Sequence, residues 1–401
     1  MVRTDPDTFA VMLDPSGRVR FDFDERISET VADGDLDDAV TVSPVTGDVR
    51  VSHARRSLSV SLDGGFRPGL VYRVTLQPVV SDLFGNRMTQ AFEVVFSTGG
   101  DAVSTATLAG EVWDRLSGRG LRGAMVRAVG PDSLVYLSRA DDEGVFAFRY
   151  LPAGDFVLTG FQDTDRDRDV GAREARGSLP ASLAAGDTLV IDVPVLEPDT
   201  TPAVPGAGRA LDSVTIVVDF DDFLDPTASA DQIGVRLTRE GGATPLVARL
   251  FHERAYETYV DQVADSFARL DSTDAAARAA PAPAADTTAD SLATPVPDSV
   301  AAAPPAPQRP RPPRLTGSTE SQGAPPGRAR PGRRIVGQLD GALEPGVEYQ
   351  LRVTDVVNIN GLPGGGGDAT LVFEPPAPDT TSRDASPADS AAVADTLGVR
   401  P

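Results

Sequence analysis

The chain has 401 residues and a formal net charge of −22, with 59 acidic side chains against 37 basic ones. That length holds roughly two to four domains, and the acidity excludes a general nucleic-acid binder, which needs a basic face to displace counterions. Every basic residue is arginine and cysteine is absent, so disulfides, thiolates, P-loop lysines and Schiff bases are all excluded. No apolar run approaches the ~18 residues needed to cross a bilayer, and Met1-Val-Arg-Thr-Asp-Pro-Asp7 carries no apolar h-region.

Residues 8–98 alternate apolar and polar at period two, the signature of half-buried antiparallel strands. Phe9-Val11-Leu13, Val19-Phe21-Phe23, Val40-Val42, Val49-Val51, Leu58-Val60-Leu62, Tyr72-Val74-Leu76 and Phe92-Val94-Phe96 each turn one face inward. Turns are expected at Pro15-Ser-Gly17, Thr46-Gly47, Asp63-Gly-Gly65, Pro68-Gly69 and Phe84-Gly-Asn86. Short strands at this spacing predict a β-sandwich. His53 is expected on the outward phase of its strand.

Residues 104–197 follow a different grammar. Leu108-Ala-Gly-Glu-Val112 leads to Gly118-Arg-Gly-Leu-Arg-Gly-Ala-Met-Val-Arg-Ala128, then to Asp141-Asp-Glu-Gly-Val-Phe-Ala-Phe148 and Leu151-Pro-Ala-Gly-Asp-Phe-Val-Leu158. Phe146, Phe148, Leu151 and Phe156 are the expected core. Trp113, the lone tryptophan, is expected in that core or over a sheet edge.

The next stretch, Asp163-Thr-Asp-Arg-Asp-Arg-Asp-Val-Gly-Ala-Arg-Glu174, carries the sharpest chemistry. Asp163, Asp165, Asp167 and Asp169 fall at positions 1, 3, 5 and 7, and Glu174 at position 12. That spacing points alternate oxygens at one hard cation, with the glutamate closing the shell, which makes calcium the candidate cofactor. Two departures oppose it: Arg168 stands at position 6 where such a loop wants glycine, and position 7 ordinarily offers a backbone carbonyl. The competing reading is a solvated loop whose arginines neutralise its acids.

Residues 210–254 and 335–375 repeat the first unit. Val214-Thr-Ile-Val-Val-Asp-Phe-Asp221 matches Val19-Arg-Phe-Asp-Phe-Asp-Glu25, and Glu344-Pro-Gly-Val-Glu-Tyr-Gln-Leu-Arg-Val353 matches Arg67-Pro-Gly-Leu-Val-Tyr-Arg-Val-Thr-Leu76. Asp355-Val-Val-Asn-Ile-Asn-Gly361 answers Val79-Val-Ser-Asp-Leu-Phe-Gly-Asn86. An insertion of about 80 residues splits the second copy, too long for an ordinary loop. It opens with Tyr256, Val260, Val263, Phe267 and Leu270 at helical spacing, predicting a short helix. An Ala/Pro/Thr/Asp tract and an Arg/Pro tract follow. Neither buries enough apolar surface to offset chain entropy, so both are expected to be disordered, as is the tail from 376.

Two resemblances emerge from these phrases. Phe21 to Glu25, Pro68-Gly69, Tyr72, Asp82, Gly85-Asn86 and Phe96-Ser-Thr-Gly99 resemble the bacterial Ig-like domain of the S-layer (SbsA) type. The phrases of 104–197 resemble the carboxypeptidase-regulatory-like, transthyretin-type β-sandwich. Acidic loops in such surface repeats bind calcium, which would here stiffen the middle domain and its junction to the third. The expected fold class is therefore all-β: tandem Ig-like and transthyretin-like β-sandwiches with a long disordered insertion and a disordered C-terminal tail. The expected units are 5–100, 104–197, 210–254 plus 335–375, the insertion 255–334, and the tail 376–401.

Catalytic inventory is thin. His53 and His252 lie in different units, which disfavours a zinc site or a Ser-His pair, and no Gly-x-Ser-x-Gly elbow occurs. Asp22/Asp24 and Asp219/Asp221 each share one sheet face, which reads as a wet face before it reads as a glycosidase pair. The resemblance implies a non-catalytic cell-envelope or extracellular module with structural, adhesive or assembly roles. Its expected partners are an envelope protein or a glycan, with membrane contact only through a lipid anchor lost with an upstream export signal. Two alternatives remain: the accessory part of a glycan-active enzyme system, and a cytoplasmic scaffold recruiting partners through the insertion.

Overall fold

A computed structural model describes residues 3–14, 16–31, 34–99, 103–279, 311–316, 328 and 330–375. The tracts expected to be disordered, 280–310, 317–327 and 376–401, lie outside the described residues. What is described is nearly all β, arranged as three sandwiches with separate cores.

In the first sandwich, strands Arg3–Asp5, Val19–Asp22, Ser57–Leu62 and Val49–Ala54 lie side by side in that order. They face a sheet of Val40–Ser43, Val71–Leu76 and Phe92–Ser97. Alternation delivers Val19, Phe21, Leu58, Val60, Tyr72, Val74 and Phe96 into one fully buried core, with Phe66 edge-on to Tyr72 and Phe96. A buried phenol needs partners, and the Tyr72 hydroxyl has two. It lies 2.7 Å from the Thr46 hydroxyl and accepts the Arg67 N–H at 2.9 Å, which pins the Pro68-Gly69 turn.

One expected strand is absent. Phe9, Val11 and Leu13 are exposed, and only Val11 makes a single bridge, to Ser97. A positive φ at Phe9 breaks the extended run, so the segment lies along the edge of Phe92–Ser97 through a few backbone bonds and turns Met12, not Phe9, Val11 or Leu13, onto the core. His53 also departs from expectation. Period two places it on the same phase as Val49 and Val51, and its side chain is only 18% exposed.

The middle sandwich packs the sheet of Ala106–Asp114 and Val145–Leu151 against Val135–Arg139, Met125–Val129, Gly154–Phe161 and Arg176–Leu183. Two short strands, Thr188–Val190 and Val193–Val195, run parallel to Ala106–Asp114. Phe146, Phe148, Leu151 and Phe156 fill the core. Trp113 instead stands on the inner strand Ala106–Asp114, paired with Pro194 and bridged to Gly120, with the Arg328 guanidinium 4.4 Å from its ring centre.

The third sandwich reproduces the first. Pro205–Asp212, Thr215–Phe220, Arg334–Leu339 and Val247–His252 stand in the same order, facing Gly234–Thr238, Glu348–Val356 and Gly365–Val372. Tyr349 is buried like Tyr72, and its hydroxyl accepts the Glu344 N–H at 2.9 Å. Asp82 and Asn358 also correspond. Each bonds its own turn, Asp82 Oδ1 taking the Asn86 N–H and Asn358 Oδ1 taking the Leu362 N–H, both at 2.9 Å.

The insertion enters between Val247–His252 and Arg334–Leu339, which are hydrogen-bonded neighbours with His252 opposite Ile335. Its ends are therefore already together, so its length adds little closure entropy. The helix is longer than expected, Glu253–Ala279. The alanine-rich stretch Ala275-Ala-Ala-Arg-Ala279 favours its continuation, and Pro281 follows two residues later. Tyr256 and Val260 are buried against Val217 and Val336, while Leu270 further along is exposed.

Candidate metal centre

The acidic loop leaves strand Gly154–Phe161 and returns to Arg176–Leu183, whose pairing ends at Phe161 opposite Arg176. That short closure folds the loop on itself. Asp163, Asp165 and Glu174 bring one carboxylate oxygen each within 4.8 Å of one another. Asp167 and Asp169 stand outside this group: Asp167 Oδ1 accepts the Asp169 N–H at 2.7 Å, and Asp169 pairs with Arg127 at 2.5 Å. Arg166 and Arg168 both have positive φ, 67° and 65°. So position 6 adopts the left-handed conformation that glycine ordinarily serves, with an arginine bearing the strain.

Glu174 is buried, with the Thr164 N–H on Oε1 at 2.6 Å and the Gly171 N–H on Oε2 at 2.9 Å. Burial raises its pKa, but these donors and the Thr164 hydroxyl outweigh that, so the carboxyl lies below its ordinary value. Asp163 goes the other way. Burial pushes it up, against donation from the Arg166 and Arg168 N–H groups, and Glu174 and Asp167 push it further. Its Oδ1 is buried with no hydrogen-bond partner. An orphaned carboxylate oxygen beside two other acids fits a hard cation, which would supply the missing partner.

The loop's arginines reach the first sandwich, not the third. Arg168 donates to the Asp37 carbonyl, and Arg166 lies 3.9 Å from Asp38. The same joint is held more firmly by Arg73. It is buried on strand Val71–Leu76 and donates to the carbonyls of Ala147 at 2.7 Å and Leu137 at 3.3 Å in the middle sandwich. Glu93, 3.5 Å away, is its counter-ion. Ser43 Oγ accepts the Leu137 N–H at 3.2 Å, and Val45 bridges Val135.

The second joint uses Arg115, which donates to the Ile359 carbonyl at 2.7 Å and pairs with Asp225 at 3.3 Å. The insertion's far end adds Arg328, which pairs with Glu111 at 3.0 Å and Asp192 at 3.3 Å while lying over Trp113. Sequence reasoning missed Arg73, Arg115 and Arg328. A single arginine carries no signal of burial in the sequence, since the groups that hold it, carbonyls and carboxylates alike, come from another unit.

The remaining candidates are occupied structurally. His252 Nε2 lies 2.9 Å from the Ala228 carbonyl, and burial lowers its pKa. Asp22 pairs with Arg20 at 2.8 Å, Asp219 with Arg334 at 2.8 Å, and Asp221 accepts the Val204 N–H at 2.8 Å. A groove of about 830 Å³ runs between the first two sandwiches, past Arg87, Glu93, Arg139 and Glu143.

Comparison with known proteins agrees on the first unit: residues 1–98 match the family model of the bacterial Ig-like domain. No curated protein matches the chain. Among solved structures, a putative carbohydrate binding protein from Pseudomonas aeruginosa is 9% identical, at a TM-score of 0.19, over 23% of this chain and 90% of its own. The major pilin subunit BcpA of Bacillus cereus is 11% identical, at 0.18, over 49% of this chain and 69% of its own. The group B streptococcus pilus 2b backbone protein is 9% identical, at 0.16, over 48% of this chain and 97% of its own. At these TM-scores the likenesses carry no argument about function. The first sandwich is similar to a bacterial Ig-like domain.

Proposed function

We propose that the chain is a non-catalytic cell-envelope or extracellular module that holds its sandwiches at fixed spacing for structural, adhesive or assembly purposes. The observation that carries this is Arg73, a buried cation of one sandwich satisfied by two carbonyls of the next. A buried charge is costly unless fully partnered, so such a joint opposes hinge motion and suits a spacer. In this reading 5–100 and the split 210–254 plus 335–375 are SbsA-type Ig-like units, and 104–197 is the carboxypeptidase-regulatory-like unit between them. Its partners would be an envelope protein or a glycan, with the membrane reached only through a lipid anchor.

Asp163, Asp165 and Glu174 would hold calcium at the loop. The ion would supply charge neutralisation and fix the segment from which Arg166 and Arg168 reach the first sandwich. Asp167 and Asp169 would join the shell only by leaving their present bonds.

Mass spectrometry of the native N-terminus, combined with membrane fractionation, tests the compartment. A processed or acylated terminus in the envelope fraction is the expected result. An unprocessed Met1 in the cytosol would overturn the surface reading and favour the scaffold.

A further inference from the structure

Outside the acidic loop, the insertion builds a second organised surface. Phe251, Tyr256 and Tyr259 form an aromatic shelf where strand Val247–His252 passes into the helix, with ring centres 5.2–6.1 Å apart. Arg249 lies over both Phe251 and Tyr259, at 4.9 Å and 5.2 Å. Across this shelf runs a separate stretch of the insertion, Arg311-Pro-Pro-Arg-Leu-Thr316, with no helix or strand of its own.

Its contacts are those of a recognised ligand. The Tyr256 hydroxyl donates to the Pro313 carbonyl at 2.9 Å, and Arg314 pairs with Asp261 at 2.8 Å. Leu315 packs into the cluster of Tyr256, Val260 and Phe251, and Arg334 donates to the Thr316 carbonyl at 3.3 Å. Proline pairs hold the backbone extended in advance. An aromatic hydroxyl on a proline carbonyl, with an acid reading a neighbouring arginine, is how proline-rich segments are bound at aromatic grooves. Burial pushes the Tyr256 phenol up to about 12, which keeps its donor proton in place.

We propose that this shelf is a docking site for the proline–arginine strap in trans as well as in cis, so that two copies of the chain join by exchanging straps. The strap is held by few bonds, which makes release cheap. Residues 317–327, which connect it to the Arg328 anchor, can span about 35 Å when extended. The atoms a second copy would offer are the ones already seated here. At low concentration the tether favours the strap's own shelf, and high concentration of the chain favours exchange. The inference does not depend on the compartment proposed above.

The absence of cysteine makes the test direct. Full-length Asp261→Cys and Arg314→Cys chains are mixed at rising concentration and treated with a short bis-maleimide, and a chain carrying both substitutions serves as the cis control. The expected product is a cross-linked dimer of the two single variants, lost when a synthetic peptide spanning 310–318 is added in excess and reduced several-fold by Tyr256→Phe. Cis cross-linking of the double variant with no trans dimer at high concentration would overturn the proposal. So would a trans dimer indifferent to the peptide.

Discussion

The first and third sandwiches share one topology and the same buried tyrosine lock, yet they differ at one hairpin. In the first, Ala54 pairs with Ser57 across the two residues Arg55 and Arg56. In the third, residues 253–333 fill the equivalent place between Val247–His252 and Arg334–Leu339. The outer sheet face records the difference. On the first sandwich the pair Arg20 and Ser59 faces outward and is polar; on the third the equivalent pair is Val217 and Val336, both fully buried under Tyr256 and Val260. A sheet face becomes apolar where something covers it. The insertion is therefore part of the third fold, and not a loop merely tolerated by it.

The largest expected effect tests the equivalence itself. Tyr72→Ala and Tyr349→Ala should each destabilise their own sandwich by about 4 kcal/mol, by cavity formation and loss of the turn bond. Calorimetry of the two variants should show two different transitions moving. A single shared transition would break the picture of two independent copies of one unit.

Next in size is the hairpin exchange. Replacing 253–333 with the Arg-Arg turn of the first copy should leave the third sheet paired but cost about 3 kcal/mol, because Val217 and Val336 become exposed. Adding Val217→Arg and Val336→Ser, which copies the first sandwich, should recover solubility and part of the stability. Chemical denaturation with tyrosine fluorescence reads both steps, and failure of the double change to help would separate the two faces again.

Smaller effects are expected at the acidic loop, which neither the first nor the third sandwich possesses. Without calcium, Asp163→Asn should raise the melting temperature by a few degrees at neutral pH. The Asp163 pKa is raised by burial, so its charge costs stability above that value and the gain should vanish in acid. Glu174 has the opposite sign. Its pKa is lowered, so its contribution is present above the ordinary glutamate value and is lost as pH falls from there through its lowered folded value. Glu174→Gln should abolish any calcium-dependent rise in melting temperature; an unchanged rise would remove Glu174 as a ligand.

Much of this was legible in the sequence because period-two alternation and Pro-Gly turns are local. The duplicated phrases located Tyr72, Tyr349, Asp82 and Asn358 in equivalent places. Phe9-Val11-Leu13 misled because the positive φ at Phe9 breaks the alternation, so the segment follows the edge of Phe92–Ser97 with Met12 on the core and its other apolar side chains outward. At the acidic loop, spacing brought Asp163, Asp165 and Glu174 together but could not foresee that Asp169 would turn to Arg127. Arg73, Arg328 and the strap contacts lie across long sequence separations, where no periodicity reaches. The run Thr215-Ile-Val-Val-Asp-Phe220 did carry a usable signal: unbroken apolar residues in a strand mark a sheet buried on both faces.

Fixed spacing between sandwiches is the central claim, and the cysteine-free chain allows it to be measured directly. Spin labels at Ser52→Cys and Asp155→Cys, one on each of the first two sandwiches, would report their separation by pulsed dipolar spectroscopy. A single narrow distance distribution that broadens on Arg73→Met is the predicted result. A broad distribution in the otherwise unaltered chain, unchanged by Arg73→Met, would contradict it.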